Sequence, residues 1–192
     1  MLKIRQEIVS YTKRLIGLEE KSGNSGFKEA WFERAMRKVG WKKYQSWCAY
    51  VAELIWIESY KKTGDEELIK KLTKLFSASA VQTYKNFVKA GYPHGTVPRK
   101  GSLVVWQLMK SGKYDWRGHI GVVTSFVDNN NFISGEGNTN KGKSRNGYVF
   151  WENKHTVDKE QEVTNGLRLI GFIHPVEYVK KGGIKKTKAY GY

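Results

Sequence analysis

The stretch that most constrains this chain runs from Trp47 to about Tyr60. It contains no Gly or Pro, and Tyr50, Val51, Ala52, Leu54, Ile55, Trp56 and Ile57 cover nearly the whole helical wheel, with Glu53 and Glu58 as the main interruptions. A helix that is apolar almost all round has to lie inside a domain, so the rest of the chain must enclose it. Ser46 is a favoured N-cap residue, and Cys48, the only cysteine in the chain, falls in the first turn. There the unpaired N–H groups and the positive end of the macrodipole favour a thiolate. The competing explanation is packing, because a lone cysteine on an apolar helix is more often core than catalyst. A nucleophile needs a histidine and a carboxylate or amide from elsewhere in the chain.

With 192 residues the chain has room for one domain with a substantial core and too little for two. We expect a single unit over 1–178 and a Gly- and Lys-rich basic tail over 179–192, adhesive to anionic surfaces. One cysteine excludes an intrachain disulfide, which fits synthesis in a reducing cytosol. Lys and Arg number 34 against 18 Asp and Glu, a net charge of +16. That field draws in polyanions, whether nucleic acid, anionic lipid or envelope polymer. None of the common nucleic-acid signatures is present, so no specific nucleic-acid partner is expected. No stretch has the length of a transmembrane helix, and residues 1–7 lack the apolar core of a secretory signal. A target outside the cytoplasmic membrane therefore calls for another route of delivery.

Apolar residues at Ile4, Ile8, Tyr11, Leu15 and Leu18 predict an amphipathic helix, broken by turn residues from Glu20 to Gly26. Phe27 to Val39 resumes helical spacing through Ala30, Trp31, Arg34 and Ala35, and Gly40 is a suitable stop. After the cysteine helix, Asp65 caps a helix that buries Leu68, Ile69, Leu72, Leu75 and Phe76. Ser77 or Ser79 caps another with Val81, Tyr84, Phe87 and Val88 inward. The pattern then changes. Ser102 to Met109, His119 to Val127, Phe132 to Ser134, Tyr148 to Trp151 and Leu167 to Ile173 read as strands, with a turn at Asn129-Asn130. Helices followed by mostly antiparallel strands predict an α+β fold.

The partners of the cysteine lie in this second half. Period-two alternation in Gly118-His119-Ile120-Gly121-Val122-Val123 sends His119, Gly121 and Val123 to one face, and the glycine leaves that face open. The next strand ends in Ser134-Gly135-Glu136-Gly137-Asn138-Thr139-Asn140, where Glu136 or Asn138 is placed to orient an imidazole. His94, His155 and His174 have no metal-ligand spacing among them and are expected to be structural or solvent-facing.

Trp47-Cys48-Ala49-Tyr50-Val51, Gly101-Ser102-Leu103-Val104-Val105-Trp106, Gly118 to Val123 and Glu136-Gly137-Asn138 together resemble the CHAP domain, the cysteine, histidine-dependent amidohydrolase/peptidase. The resemblance runs from about Gly23 to Asn140 and more weakly to Pro175. It implies a papain-like α+β fold, with N-terminal helices packed on the sheet, and cleavage of an amide bond in peptidoglycan through a thioester. It also implies Cys48 as nucleophile, His119 as general base, and Glu136 and Asn138 completing the quartet. Many relatives are phage lysins, virion-associated wall hydrolases or cell-separation enzymes, so release by a holin or carriage in a virion would bring the protein to the wall.

Gln45 is a candidate oxyanion donor, and Trp47, Trp106 and Trp116 either line the cleft or belong to the core, with core favoured for the first two. Gln45, Trp47 and Trp116 are accordingly carried as substrate-contact candidates. Relatives often have an aspartate where this chain has Ser102, and some bind calcium through an Asp-rich loop that Glu20 to Gly26 does not match. No required metal or cofactor is expected. The expected partners are peptidoglycan and anionic envelope polymers, met by a monomer. The rival readings are a noncatalytic basic envelope-binding or virion structural protein that kept the fold, and a papain-like protease or acyltransferase acting on protein.

Overall fold

The computed structural model describes residues 3–128, 130–140, 147–157 and 165–178. The expected basic tail and the Asn129 half of the Asn129-Asn130 turn lie outside them. Helices come first: α1 (Ile4–Arg14), α2 (Ala30–Lys38), α3 (Cys48–Lys61), α4 (Glu66–Thr73) and α5 (Ala80–Lys89). A short hairpin, β1 (Glu20–Lys21) and β2 (Gly26–Phe27), separates α1 from α2 and encloses a 3-10 turn at Ser22–Asn24. The second half supplies β3 (His94–Gly95), β4 (Leu103–Lys110), β5 (Lys113–Phe126), β6 (Asn131–Thr139), β7 (Val149–Thr156) and β8 (Gly166–Ile173). These strands form one sheet in the order β3-β8-β4-β5-β6-β7, antiparallel at every pairing. The result is the expected papain-like α+β arrangement, with the helices against one face of the sheet.

Helix α3 is the axis of the core. All its apolar residues except Tyr50 are buried, and Glu53 and Ser59 are buried with them, as coverage right round the wheel requires. It packs against α1, α4, α5 and the strands β5 and β6. Alternation divides the sheet between two apolar clusters. Leu103, Val105, Ile120 and Val122 join the helices, while Val104, Trp106, Val123, Phe132 and Phe172 form a second cluster on the other face. By parity His119 belongs to that second face. Among the described residues no helix is long and apolar enough to cross a membrane.

Four local expectations are corrected. Helix α1 stops at Arg14, short of Leu18, because Gly17 turns with φ +88° and the chain then runs along β7. There Gly17 N–H donates to Phe150 O at 2.9 Å, and Phe150 N–H donates to Leu18 O at 2.8 Å. Phe27 belongs to β2, not to a helix, and its ring packs on Phe32, Trp41 and Trp47. Helix α2 buries Phe32 and Met36 and leaves Trp31 exposed, so its inward stripe lies one residue beyond the one the spacing suggested. The N-cap position of α3 is held by Trp47, no side chain caps it, and Ser46 is exposed. The other caps agree: Asp65 accepts from Leu68 N–H at 2.9 Å, and Ser79 accepts from Gln82 N–H at 3.3 Å.

Candidate active site

Three elements converge at the start of α3. The first is the helix terminus itself, which places Cys48 in a buried first turn. Without a side-chain cap, the first-turn N–H groups keep their donor capacity, since such groups have no partner inside a helix. The second is β5, which carries His119, and the third is the end of β6.

Two close approaches allow β6 to reach the other two. A Cβ on Gly121 would stand 2.7 Å from Cγ of Glu136, so only glycine lets the carboxylate pass over β5. A Cβ on Gly137 would lie 2.4 Å from the Trp47 ring, so glycine also lets β6 abut the N-terminus of α3. The β6–β7 register shifts between Glu136 and Thr139, a bulge that re-aims the residues within it. Asn138, at φ +57°, accepts a hydrogen bond at its Oδ1 from Trp47 N–H at 3.4 Å. The strand end is thereby tied to the residue before Cys48.

His119 and Glu136 are both buried and meet directly, His119 Nε2–H donating to Glu136 Oε2 at 2.9 Å. A carboxylate can only accept, so this bond places a ring proton on Nε2 and leaves Nδ1 as the nitrogen that exchanges a proton with the thiol. Nδ1 is indeed buried with no hydrogen-bond partner among the described residues, and Cys48 stands close enough to act on the ring. Burial alone would push the imidazole's pKa down. The neighbouring Cys48 and Glu136 more than offset that and hold it well above the ordinary histidine range. Burial would likewise push the Glu136 carboxyl up, but bonds from His119 and His155 hold it below the usual range.

The glutamate has further support that spacing along the chain did not reveal. Ser134 Oγ–H donates to Oε1 at 2.6 Å, and His155 Nε2 lies 2.6 Å from the same oxygen. Asn153 Nδ2 approaches Oε2 at 3.5 Å. His155 is thus a partner of the carboxylate rather than solvent-facing, a more specific place than the structural one expected of it. The signal for it was its parity with Asn153 on β7, opposite Phe132 and Ser134 on β6.

The substrate-contact candidates separate. Trp47 is fully buried, its indole N–H donating to Glu20 Oε2 at 2.6 Å and its ring edge-on to Phe27 at 5.2 Å. It is core and cannot line a cleft. Trp116 is 75% exposed on β5, with the Arg117 guanidinium 6.0 Å from its ring. Gln45 is exposed just ahead of α3, where its Oε1 accepts from Lys42 N–H at 3.2 Å and from Tyr50 O–H at 3.0 Å. Trp106 is buried between His119 and His155, its ring 5.8 Å and 4.7 Å from theirs.

Ser102 is hydrogen-bonded to His174 Nδ1 at 2.8 Å, and both are buried. Glu20, the single carboxylate of the turn from Glu20 to Gly26, is occupied by Trp47 and by Asn24 N–H. Among the described residues no group of three or more His, Cys, Asp and Glu side chains is arranged to hold a metal ion.

Chemically, a thiol at an uncapped helix N-terminus beside a free imidazole nitrogen, with the other nitrogen held by a buried carboxylate, is suited to acyl transfer. No curated protein and no solved structure matched the chain. The family model described as CHAP domain matches residues 39–138, just over half of the chain, and its span takes in Cys48, His119, Glu136 and Asn138. The chain therefore belongs to the CHAP domain family of cysteine, histidine-dependent amidohydrolases and peptidases.

Proposed function

We propose that the protein hydrolyses an amide bond of bacterial peptidoglycan, with Cys48 as nucleophile and His119 as general base and acid. The observation that carries this reading is the free Nδ1 of His119, buried beside Cys48 while Nε2 is held by Glu136. In the first step Nδ1 takes the thiol proton and the sulfur attacks the carbonyl carbon. The oxyanion forms where the Cys48 N–H, and the amide of Gln45, can donate to it. The imidazolium then gives its proton to the leaving amine, and a thioester remains. Water, deprotonated by His119, attacks the thioester and releases the acid and the free thiol. Glu136 keeps the ring in the required tautomer, and Asn138 holds the strand end against the helix.

Support for a wall substrate comes from the family and from the charge of the surface. Lys3, Arg5, Lys13 and Arg14 from the α1 region and Lys100 line a groove of about 930 Å³ together with Thr124, Ser125 and a single carboxylate, Glu177. That carboxylate already binds Arg5 at 2.6 Å, so the groove keeps a strong positive excess. It has no aromatic side chain among its lining residues on which bases would stack, so it suits the phosphate or carboxylate groups of an envelope polymer better than a single-stranded nucleic acid. In this reading the enzyme acts at the cell wall, reached through a holin or in a virion, as a monomer.

The test is digestion of purified peptidoglycan by the wild-type protein and by Cys48→Ala, with new termini identified by mass spectrometry. New amines from the wild type alone are expected. No new amine from the wild type, or equal release by Cys48→Ala, defeats the proposal.

A further inference from the structure

The carboxylate of Glu136 is shared by two imidazoles. While His119 bonds Oε2 from β5, His155 from β7 places Nε2 2.6 Å from Oε1. The His155 ring is fixed on both sides, stacked on Phe132 at 5.6 Å and 29° and packed on Trp106 at 4.7 Å and 45°. Its side chain is only 16% exposed. Trp106 also touches the His119 ring, so both histidines are referenced to one indole. A solvated surface histidine would have neither the ring contacts nor a carboxylate partner that is itself 2% exposed.

We infer that His155 is a positioning residue of this centre, donating its Nε2–H to Oε1 of Glu136 so that Oε2 stays turned toward His119. The inference rests on the reading of Cys48 and His119 as the reacting pair. A buried carboxylate needs several donors to remain an anion. The titratable groups facing Glu136 are His119 from β5 and His155 from β7, with Cys48 of α3 behind His119; Ser134 and Asn153 complete its neutral donors. Without the His155 donor the Glu136 carboxyl takes a proton more readily. It then accepts poorly from His119, and the pair loses its orienting anion first at acid pH.

Because Cys48 is the only cysteine, its alkylation by iodoacetamide reports on the pair without any wall substrate. The rate is measured against pH, by mass spectrometry, for the wild type, His155→Phe, His155→Asn and His155→Gln, with circular dichroism to establish folding. Phe keeps the ring contacts and removes the donor. Asn keeps polarity, but its amide is too short to reach Oε1, whereas the Gln amide nitrogen can reach it. The acid limb in His155→Phe and His155→Asn is expected about one pH unit above wild type. His155→Gln should return toward wild type.

A folded His155→Phe or His155→Asn whose profile overlays wild type overturns the inference, as does a His155→Gln displaced as far as the other two. The Asn and Gln variants decide the matter if Phe does not fold. A wild-type thiol with no acid limb refutes the Cys48–His119 pairing and this inference with it. Displaced profiles beside a wild type that releases no amine from peptidoglycan support His155 and defeat only the substrate.

Discussion

Replacing Glu136 by Gln tests the electrostatic logic of the site, because the two side chains have nearly the same shape. Every neighbour of the carboxylate arrives as a donor: Ser134 and His155 at Oε1, each at 2.6 Å, His119 at Oε2 at 2.9 Å, and Asn153 at 3.5 Å. A glutamine has one oxygen and one NH2 group to offer. If the oxygen stays with Ser134 and His155, the NH2 faces His119 Nε2, and that nitrogen has to become an acceptor. The ring proton then moves to Nδ1, against Cys48, and the thiol has nowhere to send its own. If the amide turns over, its NH2 opposes two donors instead. In either orientation the negative charge that stabilises the imidazolium is gone. A hydrogen bond to a charged group is worth roughly 1.5–3 kcal/mol. Adding the cost of the wrong tautomer brings the loss to roughly 4 kcal/mol, about a thousandfold in rate. The assay is amine release from peptidoglycan, run beside iodoacetamide alkylation of Cys48 at neutral pH and a thermal melt. Both rates are expected to collapse in a protein that still folds. A folded Glu136→Gln within about threefold of wild type in both would refute the reasoning.

Two further perturbations have definite signs. Glu53, buried on α3, has its carboxyl pushed by burial from 4.5 to about 7, so the folded state binds this proton more tightly than the unfolded chain. Its contribution to stability is therefore intact below about pH 4.5 and lost as pH rises through 7. Glu53→Gln should be more stable than wild type by roughly 2–3 kcal/mol at pH 8 and nearly equal to it at pH 4, read by denaturant unfolding; equal stability at both pH values would rule out the burial penalty. In the basic groove, Lys13→Glu with Lys100→Glu, made in the Cys48→Ala background, should weaken retention on a polyanionic phosphodiester polymer and make log K less steep against log salt by about one for each phosphate no longer neutralised. An unchanged slope would place the polymer elsewhere.

The parts of this protein that were legible in its sequence are those set by local periodicity. Apolar coverage around a 3.6-residue wheel identified α3 as the buried axis, and period-two alternation put His119, Gly121 and Val123 on one face. What was illegible depends on pairs that only strand register or tertiary packing brings together. Trp47 is a substrate-contact candidate by its place beside the cysteine even though core is favoured for it; its burial follows from the indole bond to Glu20, 27 residues away, and from the aromatic cluster with Phe27 and Phe32. His155 is expected from its sequence to be no more than structural or solvent-facing, because Glu152, Lys154 and Asp158 surround it along the chain. Its chemistry is set across the sheet, where the β6–β7 register opposes it to Phe132 and Asn153 to Ser134. Both residues share a physical cause for the difference. A side chain that acts through a long-range partner carries no mark in its own neighbourhood, whereas a nucleophile at a helix terminus does, because the helix is part of its chemistry. The same logic explains the missing cap at Ser46. A side-chain cap is the local rule for a helix start, and its absence here leaves the first-turn N–H groups at Cys48 without a side-chain acceptor, as the proposed oxyanion site requires.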